Sequence, residues 1–249
     1  MPTCIIIGSG AGLGEALAFL FGKRDYRVGL ITRSGGKLKA QADRLAKDGI
    51  VVDWATADAG DLPKLQEAMT GLIASLGPCD GLIYHAAAMQ SGSPLDLTAD
   101  RKTKEFAVNV LGAHPAAKLV APFMVAQGRG AILFTGGGLA LEPYPEWTSP
   151  ALGKAALRSL SLSLFKELKP NGVHVAILAI CGIVAKDSPF APSVIAKEYW
   201  RVATDPNGIK DREVVIQPKG TDPFYYDPKG LHVATTLAPA HAKSDARQV

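Results

Sequence analysis

The chain has 249 residues, 47% of them hydrophobic and 20% charged, with a formal net charge of +4. That length suits one large α/β domain or two small ones, and it buries a core large enough to need no disulfide or metal. The low charged fraction excludes a disordered chain, and without a Lys/Arg block that could follow a phosphate backbone, nucleic acid is not an expected partner.

Short apolar runs alternate with longer stretches of helical periodicity. Thr3–Ile7, with consecutive isoleucines running into glycine, reads as a buried strand. Leu13–Lys23 reads as a helix, Val28–Thr32 as a strand, Lys37–Lys47 as a helix and Ile50–Thr56 as a strand. Leu62–Leu76 carries Leu65, Met69, Leu72, Ile73 and Leu76 at helical spacing, and Asp80–Tyr84 follows as a strand. A long helix is expected over Ala99–Val125, with breaks at Pro115 and Pro122. Strand Ala131–Thr135, helix Pro150–Leu168, strand Val173–Ile180, helix Ser193–Thr204 and strand Glu213–Ile216 complete the pattern. Ser149-Pro150 reads as an N-cap followed by proline at the first helical position. This alternation predicts crossover units and one doubly wound domain, a parallel sheet of about seven strands with helices on both faces.

That domain is expected to span residues 1–216, and residues 217–249 an irregular tail with Pro218, Pro223, Pro228 and Pro239. Phe224-Tyr225-Tyr226 in the tail reads either as an aromatic anchor for a partner or as part of a disordered end. Cys4, Cys79 and Cys181 have no disulfide or zinc-ligand spacing and read as buried apolar groups. The longest apolar run, Val173–Ala185, is shorter than the roughly 20 residues of a membrane span. With no charged leader before the first strand, a cytoplasmic protein with no membrane partner is expected.

The first strand ends in Gly8-Ser9-Gly10-Ala11-Gly12-Leu13-Gly14. The glycines fit GxxxGxG at Gly8, Gly12 and Gly14. Such a loop turns tightly, lets the backbone approach a pyrophosphate, and opens a helix whose free N–H groups attract anions. The second strand ends in Thr32-Arg33-Ser34, without the acid that binds the ribose hydroxyls of NAD. A guanidinium there pairs with a 2′-phosphate, which favours NADP(H) over NAD(H). An ordinary surface cation is the other reading of Arg33.

Further stations follow in order: Ala57-Asp58-Ala59, Tyr84-His85-Ala86-Ala87, Asn109-Val110-Leu111-Gly112, Gly153-Lys154-Ala155 and Cys181-Gly182-Ile183-Val184. With the glycine loop, they make residues 3–216 resemble the short-chain dehydrogenase/reductase family. The resemblance implies a Rossmann-like fold, a small-molecule substrate and a homodimer or homotetramer. It also implies cofactor contacts at Gly8, Ser9, Gly12, Leu13, Gly14, Arg33, Asp58, Ala59, His85, Ala86, Ala87, Lys154, Gly182 and Val184. Asn109 and Lys154 match the family's catalytic asparagine and lysine.

Two family stations are absent. The tyrosine four residues before the lysine, which trades a proton with the substrate oxygen, is Pro150. The serine that holds that oxygen falls on Gly137 in Phe134-Thr135-Gly136-Gly137-Gly138. Tyr144, in the loop before the lysine helix, is the candidate replacement donor; a water ordered by Asn109 and Lys154 is the alternative. His85 reads first as a cofactor wall and second as a proton donor. Two functions therefore stand: an atypical NADP(H)-dependent oxidoreductase acting on a carbonyl or hydroxyl carbon, and a non-catalytic NADP(H)-binding sensor or assembly protein.

Overall fold

The computed structural model describes residues 1–205 and 211–218. All of the predicted tail except Gln217 and Pro218, including Phe224-Tyr225-Tyr226, lies outside the described residues. Seven strands form one sheet: β1 (Thr3–Ile7), β2 (Arg27–Thr32), β3 (Val52–Thr56), β4 (Gly81–Tyr84), β5 (Gly130–Thr135), β6 (Val173–Ile180) and β7 (Glu213–Ile216). Their order is β3-β2-β1-β4-β5-β6-β7, and every pairing is parallel. The helices are α1 (Leu13–Gly22), α2 (Gly35–Lys47), α3 (Leu62–Leu76), α4 (Ala99–Phe106), α5 (Ala113–Gln127), α6 (Thr148–Leu168) and α7 (Pro192–Thr204).

The sheet is covered on both faces, which explains why its central strands are apolar throughout rather than alternating. In β1, Ile5 and Ile7 join a layer with Leu72 of α3, Ala117 of α5 and Leu157 of α6. Cys4 and Ile6 of the same strand join the opposite layer with Leu17 of α1, Leu38 of α2 and Tyr199 of α7. Each such isoleucine, taken fully from water, contributes about 1.5–3 kcal/mol. The winding reverses between β1 and β4, and in such sheets the ligand crevice lies beyond the strands' carboxyl ends at that point.

Three element boundaries differ from the sequence expectation. Ile50 belongs to the end of α2, not to β3. The Ile50 N–H bonds to Leu45 O at 3.1 Å and the Gly49 N–H to Ala46 O at 3.0 Å, and Gly49 has φ +79°. This is a Schellman closure, whose outer residue is commonly apolar. The long helix is interrupted by a π turn over Ala107–Leu111 rather than at Pro115 or Pro122. The Gly112 N–H reaches Ala107 O at 3.0 Å, and the Tyr84 hydroxyl donates to Val108 O. Lastly, α6 begins at Thr148 after Trp147, so Ser149 is not its N-cap and Pro150 is its third residue. Pro150 therefore still falls in the first turn, where an N–H has no intrahelical acceptor.

The helical run Ala99–Gln127 contains an 18-residue window of mean hydropathy 1.2, long and apolar enough by length and composition to cross a membrane. Its apolar side is used in the core: Ala113, Ala116, Ala117, Val120 and Met124 pack with Leu82 and Phe134 beneath them. Cys4, Cys79 and Cys181 are all buried. Burial pushes the Cys79 thiol up to about 12 and that of Cys181 to about 11.

Candidate active site

Beyond β1 the chain turns through the glycine loop, and each of its three motif glycines has its own reason. Gly8 has φ +93°, and a Cβ there would lie 2.4 Å from Ala86 N. Gly12 also has φ +93°, a conformation L side chains rarely adopt. At Gly14 a Cβ would meet Ser9 Cα at 2.8 Å. Gly10 has neither constraint. The Gly8 and Ser9 N–H groups both bond to Ile31 O, which fixes the loop to β2. Leu13 and Gly14 open α1 and contribute N–H groups of its first turn, free for an anion.

The Ser9 side chain is buried and accepts from Gln41 Nε2 at 2.9 Å. Its hydroxyl thus braces the loop against α2. Gln41 was not among the expected residues. Its signal is a polar side chain on the buried face otherwise formed by Leu38, Ala42 and Leu45.

A cleft of about 330 Å³ opens at the switch point and brings together Gly8, Arg33, Asp58, Ala59, His85, Ala86 and Ala87 from four strand ends. The glycine cradle meets this cleft at Gly8. Arg33 and Asp58 face each other at 3.7 Å, with side chains 73% and 41% exposed. An ion pair that exposed is worth at most about 1 kcal/mol, so Arg33 can turn to a phosphate at little cost. Asp58 is held by its own turn, accepting from the Gly60 N–H at 2.8 Å. Loop, helix terminus and cleft together fit a dinucleotide cofactor.

At the other end of the site, Lys154 of α6 is buried, and its Nζ donates to Thr135 O at 2.6 Å. Burial lowers its ammonium to about 8. His85 Nδ1 lies 3.0 Å from Thr135 Oγ1, which lies 2.7 Å from the Tyr199 hydroxyl of α7. Burial first, and Lys154 second, depress the His85 imidazole to about 4. At neutral pH it is therefore uncharged, which argues against the second reading of His85, a general acid.

Asn109 sits in the π turn and engages the backbone of Ala88 with both ends of its amide. Its Oδ1 accepts from the Ala88 N–H at 2.6 Å and its Nδ2 donates to Ala88 O at 3.2 Å. This clamps the segment that follows His85, Ala86 and Ala87. The turn packs closely on Gly153, where a Cβ would meet Asn109 Cβ at 2.7 Å. Asn109 and Lys154 are thus brought to neighbouring positions, each held by backbone.

Gly137 has φ −177°, which any residue adopts. A Cβ there would lie 3.6 Å from Ile180 O and 3.8 Å from Lys154 Cε, ordinary contact distances. Pro150 is buried one turn before Lys154. Tyr144 is half-buried in the loop before α6 and does not line the cleft. Gly182 and Val184 lie outside it too: Gly182 faces the Phe190 ring, and Val184 is 37% exposed. Thr135 and Tyr199 were not expected from the sequence, where they look like a strand end and a core aromatic.

A family profile described as short chain dehydrogenase matches residues 2–192. An uncharacterized oxidoreductase of Staphylococcus aureus (strain MRSA252) is 26% identical over 223 residues, covering 86% of this chain and 96% of the relative. Among solved structures, a metagenomic short-chain oxidoreductase in complex with NADP is similar at TM-score 0.79 and 25% identity, covering 88% of this chain and 97% of that one. The L-sorbose reductase from Gluconobacter frateurii, complexed with NADPH and L-sorbose, shares the fold at TM-score 0.81 and 20% identity, over 87% of this chain and 95% of that one.

Proposed function

Because the chain belongs to the short-chain dehydrogenase family, we propose that it is an NADP(H)-dependent oxidoreductase acting on a small-molecule carbonyl or hydroxyl carbon, with a proton route that bypasses the family's Ser and Tyr. Oxidoreductase activity follows from the family and its relatives. The cofactor reading is carried by the tight glycine cradle at Gly8, Gly12 and Gly14, with Gly8 and Arg33 lining one cleft. When bound, the nicotinamide supplies or accepts the hydride.

The chain's own residues divide the remaining work. The α1 N-terminus takes the pyrophosphate, and Arg33 the 2′-phosphate. Asp58 and Ala59 wall the adenine end, and Ala86 and Ala87 the middle of the cleft. Lys154 holds a positive charge at neutral pH and binds the nicotinamide ribose hydroxyls. The proton comes from Tyr144 or from a water held near Lys154 and Asn109.

A fluorescence titration with NADPH and NADH tests the cofactor assignment. NADPH is expected to bind more tightly, and Arg33→Ala to lower its affinity about 10- to 100-fold, as for a lost charge-assisted hydrogen bond to a phosphate, while NADH is little affected. NADH binding as tight as NADPH in the wild type would remove the role of Arg33.

The depressed Lys154 ammonium gives a second expected result. Below pH about 8 the group is charged and attracts the cofactor; above it the buried amine is neutral. NADPH affinity is therefore constant toward neutral pH and falls as pH rises through about 8, and Lys154→Met is weaker at neutral pH and flat across that window. A wild-type affinity that stays constant to pH 10 would contradict the role.

Pro150 and Gly137 favour a second reading, a cofactor-binding protein without turnover, because neither side chain has a proton to exchange. A panel of carbonyl compounds with NADPH separates the two. NADPH binding with no oxidation by any carbonyl, and no reduction of NADP by the matching alcohols, supports the second.

A further inference from the structure

The hydrogen-bond chain behind the cleft fixes more than a ring position. Tyr199 is fully buried on α7, and its hydroxyl has one hydrogen-bond partner among the described residues, Thr135 Oγ1. If Tyr199 accepted that bond, its own O–H would be stranded in the core, a penalty of the same order as a whole hydrogen bond or more. It therefore donates. Burial pushes the phenol up, so it keeps the proton it donates.

Thr135 Oγ1 receives that bond and has one proton of its own to give. The neighbour left to take it is His85 Nδ1, at 3.0 Å. Nδ1 is then the acceptor, and the single proton of the neutral imidazole sits on Nε2. Nε2 has no protein partner among the described residues and is not among the sealed polar atoms, while His85 lines the cleft.

We propose that Tyr199, acting through Thr135, sets the His85 tautomer so that Nε2–H is presented to the cleft as a neutral donor for an oxygen acceptor of the bound nucleotide. Tyr199 is thus a positioning residue on the opposite side of the sheet from Lys154, and His85 a binding residue beyond a passive wall. Thr135 joins the two functions: its side chain relays the tautomer and its carbonyl holds the Lys154 ammonium. A donor at Nε2 adds a fixed polar contact to a stretch of cleft otherwise lined by Gly8, Ala86 and Ala87.

The tautomer is read directly by long-range ¹H–¹⁵N correlation on histidine-labelled protein without nucleotide, where protonated and unprotonated ring nitrogens differ widely in shift. The wild type is expected to show Nε2–H and an unprotonated Nδ1 at His85. Tyr199→Phe and Thr135→Val each break the relay and are expected to populate the Nδ1–H form. A wild-type Nδ1–H signature, or variants that fold and leave the tautomer unchanged, overturns the relay; the wild-type spectrum decides even where a variant does not fold.

The donor role rests on the cofactor reading above and has its own measurement. His85→Phe keeps the ring's bulk and is expected to weaken NADPH binding about three- to tenfold, as for one neutral hydrogen bond. Unchanged affinity overturns the donor role. Failure of the wild type to bind any nucleotide overturns the cofactor reading and the donor role with it, while the spectrum of the free protein still judges the relay.

Discussion

Gly8→Ala is expected to abolish NADPH binding and to destabilise the fold by about 3–5 kcal/mol, the sum of a left-handed backbone penalty and a backbone clash. The clash is with a rigid group: the new Cβ would lie 2.4 Å from Ala86 N and 2.8 Å from His85 C. Neither can yield like the end of a flexible side chain, because both are backbone atoms directly after β4, where the His85 N–H bonds to Ile7 O at 2.8 Å. The loop would have to lift away from β4, and the same movement would pull its N–H groups off the pyrophosphate position. For a chain of this length the cost corresponds to a fall in Tm of roughly 6–20 °C by thermal unfolding. Gly10→Ala is the control. Gly10 has ordinary φ and nothing within 4 Å of its added Cβ, so stability and NADPH affinity are expected to stay near wild type. If the two substitutions behave alike, the cradle is not shaped as described.

The contrast between Gly8 and Gly10 shows where sequence reading has power. GxxxGxG is legible as a pattern, and the structure supplies separate causes for its three members while leaving Gly10 without one. The fold was legible for a similar reason: a sheet buried on both faces writes its strands as apolar runs, and Val173–Ile180 is buried at every position. The failures occur where local hydrogen bonding overrides periodicity. Ile50 is apolar because it closes the end of α2, and its hydrophobicity alone cannot distinguish that from a strand start. The π turn at Asn109 has no periodic signature, while the prolines that do have one sit within α5.

In the site, residues that carry a motif were legible and residues that support them were not. Arg33, Asp58, His85 and Ala86 stand in such motifs and line one cleft. Gln41, Thr135 and Tyr199 reach their partners across 32, 50 and 64 residues of chain. No spacing rule connects such pairs, because only the crossover topology brings α2 to the glycine loop and α7 beneath the end of β5. Asn109 was legible as a position, but its backbone clamp on Ala88 was visible only once both were placed.

Installing the two absent groups together, Gly137→Ser with Pro150→Tyr, is expected to raise kcat/KM for NADPH-dependent carbonyl reduction by about 10²–10⁴-fold, the usual contribution of a positioned general acid. The backbone accepts both changes. At Gly137 the chain is extended and a Cβ meets only ordinary contacts, one of them the Lys154 alkyl chain. At position 150, the third residue of α6, the N–H restored with tyrosine falls in the unpaired first turn, so no bond is disturbed. Tyrosine there stands one turn before Lys154 on the same helical face. The Lys154 ammonium, still largely charged at neutral pH with its value near 8, favours the phenolate and so eases proton exchange. Pro150 is buried, so the ring must open space toward the cleft, and the stability of the variant is measured alongside its rate. Pro150→Phe makes the same steric demand without the hydroxyl. A gain confined to the tyrosine variants assigns the deficit of the natural chain to the missing proton donor. An equal gain with phenylalanine assigns it to pocket shape. No gain in a folded, NADPH-binding double variant means that Lys154 and the cofactor position are not arranged for the family's chemistry, and the reading as a binding protein without turnover then takes precedence.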